Sequence, residues 1–209
     1  MDNCEVTNTT TFTLTVTNTK PTILGATISR QQGTLTGLNA TIATVNDVET
    51  AAGSLSVTAT TPLPSGISIS GITNVNGTIN ANVRASCFAA IGNNTVELKV
   101  TDENGGTATA NLIVNVTANS LPTITYGNQT VNMMGGLTVN PASGPSDNGE
   151  FGAIIITDVD GYTGDIDVDS NTGEISISNA APLGTHTITV RIMDNCEVTN
   201  TTTFTLTVT

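Results

Sequence analysis

Residues 1–17, MDNCEVTNTTTFTLTVT, recur letter for letter at residues 193–209, an offset of 192 residues (193 − 1). An identity that long marks a repeated unit. The duplicated stretch ends in TTTFTLTVT, where Phe, Leu and Val alternate with Thr. Period-two alternation belongs to a strand with one buried face, so the same strand sequence is expected twice. The expected organisation is one full period plus a 17-residue overlap, with Met1 standing for the internal Met193. The start of this chain then need not be the start of the natural protein. Export would be directed from elsewhere, since MDNCEVTNTTT offers no positively charged, apolar leader.

A second, looser duplication lies inside the period. VTNTKPTI (16–23) matches VTANSLPTI (116–124), and in both a proline follows a polar run and introduces a new strand. Each reads as a linker, which predicts an overlap strand at 1–17 and two domains, at 18–117 and 118–209. Within the first, LNATIATV (38–45), SLSVTAT (54–60), GISIS (66–70), GTINANV (77–83), TVELKV (95–100) and TATANLIVNV (107–116) alternate between turn residues. In the second, GLTVN, GAIIIT, GDIDVD, GEISIS, THTITVRI and TTTFTLTVT follow the same order. Helical periodicity is absent. Val96, Leu98 and Val100 are expected inward, with Glu97 and Lys99 outward. Phe204, Leu206 and Val208 are likewise expected inward between outward threonines.

Composition supports an all-β chain with a thin aliphatic core: aromatics are 3%, with no Trp, and charged residues 11%. Five Lys and Arg against seventeen Asp and Glu give a net charge of −12. That sign repels nucleic-acid phosphates and anionic membrane surfaces. No apolar run approaches the roughly 18 residues of a membrane helix.

The run LPSGISI…GTINANV…GNNTVELKVTDENGGTATANLIVNVT resembles the Ig-like and cadherin-like tandem repeats of large bacterial extracellular surface proteins. The second domain shares the pattern more loosely in SNTGEISIS and APLGTHTITVRIMDNC. The resemblance implies two tandem Ig-like β-sandwich domains, preceded by an orphan copy of the last strand. It also implies an extracellular or cell-surface stalk, adhesin or filament segment.

Strands of a sandwich run between two poles, so successive loops alternate ends. Asp47, Glu49, Asp102 and Glu103 are then expected at the upstream pole of the first domain. Asp147, Glu150 and Asp194 fall at the equivalent pole of the second. Hard carboxylate oxygens from separate loops suit Ca²⁺, the one cofactor considered. The alternative is that these are ordinary turn residues hydrogen-bonding their own backbone. A second acidic group, Asp158, Asp160, Asp165, Asp167 and Asp169, lacks the Gly and Glu of an EF-hand loop. It reads as a half-buried strand with a carboxylate face. The same pole argument brings Cys87, in the loop before TVELKV, to Cys196, in the hairpin after THTITVRI. An interdomain disulfide is expected if the setting is oxidising, with Cys4 left as a free thiol. The alternative is a buried Cys87 and an exposed Cys196 thiol.

Catalysis finds no constellation. His186 shares a face with Ile188 and Val190, and Cys196 lies at the far end of the same strand, roughly 33 Å away. Carboxylate pairs lack the aromatic-lined cleft of a glycosidase. Lys99 faces out and Lys20 lies in a linker, so neither suits a buried isopeptide bond. The outward threonines resemble an ice-binding array, though a single strand defines no plane. Asn39, Asn76 and Asn128 head glycan acceptor motifs for a eukaryotic secretory host. The expectation is a non-enzymatic spacer repeat of a long extracellular protein, partnered by neighbouring repeats. The alternative is a ligand- or glycan-binding module. Head-to-tail self-association is a further expectation, with Phe12, Leu14 and Val16 exchanging into a neighbour.

Overall fold

The structure, a computed structural model, describes residues 9–34, 38–147 and 151–209. Cys4 and Glu150 lie outside the described residues. What is described is strands joined by turns, with one 3-10 turn at Ala52–Ser54.

The first domain contains β1 (Thr22–Gly25), β2 (Thr27–Gln31), β3 (Leu38–Asn46), β4 (Ser56–Ala59), β5 (Ile67–Val75), β6 (Thr78–Ala85), β7 (Gly92–Thr101) and β8 (Thr107–Thr117). They form two four-stranded sheets, ordered β1-β3-β6-β5 and β2-β8-β7-β4. Pairing is antiparallel except for β2 alongside β8. This is the two-sheet strand order of an Ig-like sandwich, its first strand divided between the sheets. Alternation decides what fills the gap: Val96, Leu98 and Val100 are buried against Ile42, Ile79, Val83 and Leu112, while Glu97 and Lys99 face solvent.

The second domain repeats the plan with one interruption. β10 (Gln129–Val131), β17 (Thr199–Val208), β16 (Gly184–Asp194) and β13 (Phe151–Asp158) form one sheet in that order, β10 again parallel to the last strand. The opposing layer is split. β11 (Leu137–Val139), β15 (Ile175–Ser178) and β14 (Asp165–Val168) make one piece, and β9 (Thr123–Thr125) with β12 (Ser143–Ser146) another. Asn140–Pro141–Ala142 separates β11 from β12. Proline has no N–H to give a ladder, so a strand that is continuous as β3 in the first domain is broken here. A separate core of Ile154, Ile175, Ile188, Val190, Ile192, Phe204 and Leu206 fills this sandwich.

β14 has exposed Asp165 and Asp167 around half-buried Ile166 and Val168, as the alternation predicts. His186 points inward, where both ring nitrogens lie within hydrogen-bond distance of the Asp160 and Pro182 carbonyls. The described part of the overlap segment is another matter. Residues 9–20 form no strand and every one of them is exposed.

Candidate functional site

The two domains meet where β8 leaves the first and the β16–β17 hairpin caps the second. Asp194 ends β16 and is buried there. Its Oδ1 accepts the N–H groups of Cys196 and Val198, both at 2.8 Å. Its Oδ2 accepts the side-chain amide of Asn119, from the linker between the domains. Thus one carboxylate both shapes the hairpin and fastens the linker to it.

The same device occurs at the far pole of the first domain. Asp102, at the β7–β8 hairpin, accepts the N–H groups of Asn104 and Gly106 at 2.8 Å through Oδ1. Its Oδ2 accepts the Asn18 amide at 2.9 Å. Backbone bonds also match: Asp102 N–H to Gly106 O corresponds to Asp194 N–H to Val198 O, both at 3.0 Å. The left-handed position falls on Gly105 in one hairpin and Glu197 in the other. Asn18 and Asn119 each stand three residues before a linker proline. The signal was therefore present as Asn-x-x-Pro together with a hairpin Asp, although sequence reasoning did not join them. Asn18 foremost, with the N–H groups of Gly106, Asn104 and Gly105, holds the Asp102 carboxyl below the usual carboxylate range against the opposing effect of burial.

These bonds bear on the calcium expectation. Asp47 and Asp102 do share a pole, but Asp47 Oδ1 accepts the Glu49 and Thr50 N–H groups, and Glu49 accepts both the N–H and the hydroxyl of Thr19. Glu103 is exposed. Phe151 pairs with Asp194, so Asp147, in the loop leading to β13, belongs to the equivalent pole. Among the described residues no three of His, Cys, Asp and Glu gather as a metal cage. Glu49, Asp102 and Asp194 accept the chain's own N–H and O–H donors through both carboxylate oxygens, as turn residues do, whereas Asp47 does so through Oδ1 and its buried Oδ2 has no hydrogen-bond partner among the described residues.

At the joint, Cys87 and Cys196 form a disulfide with their Cα atoms 5.4 Å apart, bridging 109 residues of sequence. Asn195, next to the bridge, donates its amide to the Gly33 carbonyl across the interface. Gly33 has φ of +85°, and a Cβ there would sit 2.7 Å from the Cys196 sulfur and 2.9 Å from Asn195 Oδ1. Glycine is thus required twice over, by conformation and by space. Gln32 adds to the seam, its amide donating to Ala89 O and its carbonyl accepting the Asn119 N–H. Beside the bridge lies a cleft of about 410 Å³ rimmed by Phe88, Glu197 and Val198.

Fold and joint together define a tandem pair of Ig-like β-sandwiches, covalently tied pole to pole. No family model matches the chain, and no curated protein matches it. Solved structures that resemble it include the titin domains z1z2 in complex with telethonin, at 17% identity, covering 93% of this chain and 98% of that one with a TM-score of 0.43. The human desmocollin-1 ectodomain shares 15% identity, with 93% and 38% covered and a TM-score of 0.39. For protocadherin gamma B2 extracellular cadherin domains 1–5 the identity is 15%, the coverage 92% and 40%, and the TM-score 0.38. The chain thus spans about two fifths of the last two. The fold assignment rests on this chain's own strand order and on no likeness of that degree.

Proposed function

We propose that this chain is a non-catalytic spacer, one repeat of a long extracellular stalk, adhesin or filament protein, whose task is to hold a fixed distance and angle between whatever lies on either side. The observation that carries this reading is the disulfide between Cys87 and Cys196 across the joint. A spacer needs its domains to keep one relative orientation, and a cystine across the joint supplies that. Linkers between domains ordinarily permit motion. A linker latched by Asn119 to Asp194 and flanked by a cystine opposes it. Disulfides persist in oxidising compartments, which favours an extracellular setting. Among the described residues no helix is long and apolar enough to cross a membrane. The letter-perfect recurrence at 192 residues supports repetition within a longer protein.

The test is an interdomain distance distribution. Spin labels at Lys99 and Arg191, both exposed, report one domain each. In a Cys4→Ser background the oxidised chain is expected to give a single narrow distance. Cys87→Ala with Cys196→Ala should broaden it while each domain stays folded. A broad distribution in the oxidised chain would remove the basis for the spacer reading.

A further inference from the structure

The downstream poles of the two domains follow one plan. The Gln32 N–H donates to the Thr117 carbonyl in the first domain, and the Met133 N–H donates to the Thr209 carbonyl in the second. These bonds extend the parallel pairing of β2 with β8 and of β10 with β17. Gly33 and Met134 therefore stand at equivalent positions, and both are left-handed, with φ of +85° and +62°. Glycine adopts that conformation freely, whereas methionine is strained in it. Met134 is no part of the second domain's core, so packing within the domain does not offset the strain. The upstream hairpins differ in the opposite sense. Aligning Asp102 with Asp194 puts Asn104, Gly105 and Gly106 where the second domain has Cys196, Glu197 and Val198. At the stapled joint the bare residue is Gly33 and the bulk lies on the hairpin. With Met134 on one side and the 102–106 hairpin on the other, the bulk and the glycines change places.

We propose that the pole of the second domain carrying Met133 and Met134 seats the 102–106 hairpin of a following copy of the repeat, making a second kind of joint that has no cystine. The inference rests on the reading of this chain as one repeat of a longer protein. Such a joint cannot copy the first. Between residues 18 and 209 the cysteines are Cys87 and Cys196, and both are engaged in the bridge. A hairpin seated as Cys196 is seated over Gly33 would run into the Met134 side chain, since even a Cβ at Gly33 comes within 2.7 Å of the Cys196 sulfur. The linker differs as well. Three residues, 18–20, lead from Thr17 to Pro21, against four, 118–121, from Thr117 to Pro122. Methionine is unbranched and adaptable, which suits it to fill the space over a glycine turn. The array then alternates covalent joints with apolar ones.

The test uses a chain of two periods, residues 18–209 followed by 18–209 again. Spin labels at Arg191 of the first period and Lys99 of the second report the joint between periods. A single narrow distance is expected there, unchanged by reductant, whereas the Lys99 to Arg191 distance within one period broadens on reduction. Met133→Asn with Met134→Asn in the first period should broaden the distance between periods. The distance within each period should stay as it was and the melting temperature should not fall, because asparagine tolerates left-handed backbone. Met134→Cys in the first period with Asn104→Cys in the second should form a new cystine on oxidation. The proposal is overturned by a between-period distance that is broad before any substitution, by one that stays narrow in the asparagine variant, or by failure of that cystine to form. A broad distance within the oxidised period overturns the spacer reading instead, so the two failures are distinct.

Discussion

Asp102 is only 6% exposed, yet its carboxyl is held in the charged form by the amide of Asn18 and the N–H groups of its own hairpin. The folded state therefore binds the proton less tightly than the unfolded chain does. Its contribution is complete above the ordinary carboxylate value, near 4, and is lost as pH falls through the lower folded value. Asp102→Ala and Asn18→Ala are each expected to lower the melting temperature at neutral pH and to flatten the acid limb of the stability curve. Because both Asp102 oxygens already accept hydrogen bonds, the deficit should be equal in millimolar calcium and in chelator. A calcium-induced rise in melting temperature that vanishes in Asp102→Ala would return this carboxylate to the role of ligand. Tyr126 works at the other end of the scale. Burial pushes its hydroxyl up to about 12 from 10.0, while it donates to the Gly173 carbonyl. Here the folded state holds the proton more tightly, so stability is intact below pH 10 and declines as pH rises from there toward 12. Alkaline titration of Tyr126→Phe should show a shallower decline across that window than the parent chain.

Among elements, β17 and its N-terminal copy provide a comparison at constant sequence. Phe204→Ala removes a ring packed in the core beside Tyr126 and is expected to cost about 3–5 kcal/mol in denaturant unfolding. Phe12→Ala, the same change in the same nine-residue context, should fall within about 0.5 kcal/mol in the single chain. Equal losses would mean that the segment packs against something in solution. Local sequence thus dictates which face of a strand is apolar, and the sheet it joins decides whether that face is worth anything. The same division explains what could be read beforehand. β7, β8, β16 and β17 were visible as long alternations with charged or threonine faces. So was the meeting of Cys87 with Cys196, because the direction of successive strands places loops at one pole or the other. The short strands β1 and β9 are signalled only by the linker prolines that precede them, and β2 and β10 not at all. They adjoin the polar linkers and carry no alternating run of their own, and they form by pairing with β3, β8, β12 and β17. The break between β11 and β12 falls at Pro141, and the two pieces pair separately with β15 and β9. For Asp102 and Asp194 the sequence displays the carboxylates but not the N–H groups that a tight hairpin turns toward them.

For the molecule as a whole, the cystine redraws the path along which tension travels. Under pull from the two ends, force entering through the first domain crosses at Cys87 to Cys196 and leaves by β17, bypassing the 109 residues of sequence that separate the two sulfurs. β7 and β8 of the first domain and everything from β9 to β16 in the second lie inside this closed loop. They can lose their packing without lengthening the chain. At roughly 3.3–3.6 Å of reach per residue, the loop conceals on the order of 360–390 Å of contour. Single-molecule stretching of the oxidised chain is expected to fall short of the reduced chain by about that length, and equal final extensions would mean that the bridge does not carry the force. A reductant then acts as a release catch, adding the looped length to a tether that, while oxidised, can lengthen only through the residues outside the bridge.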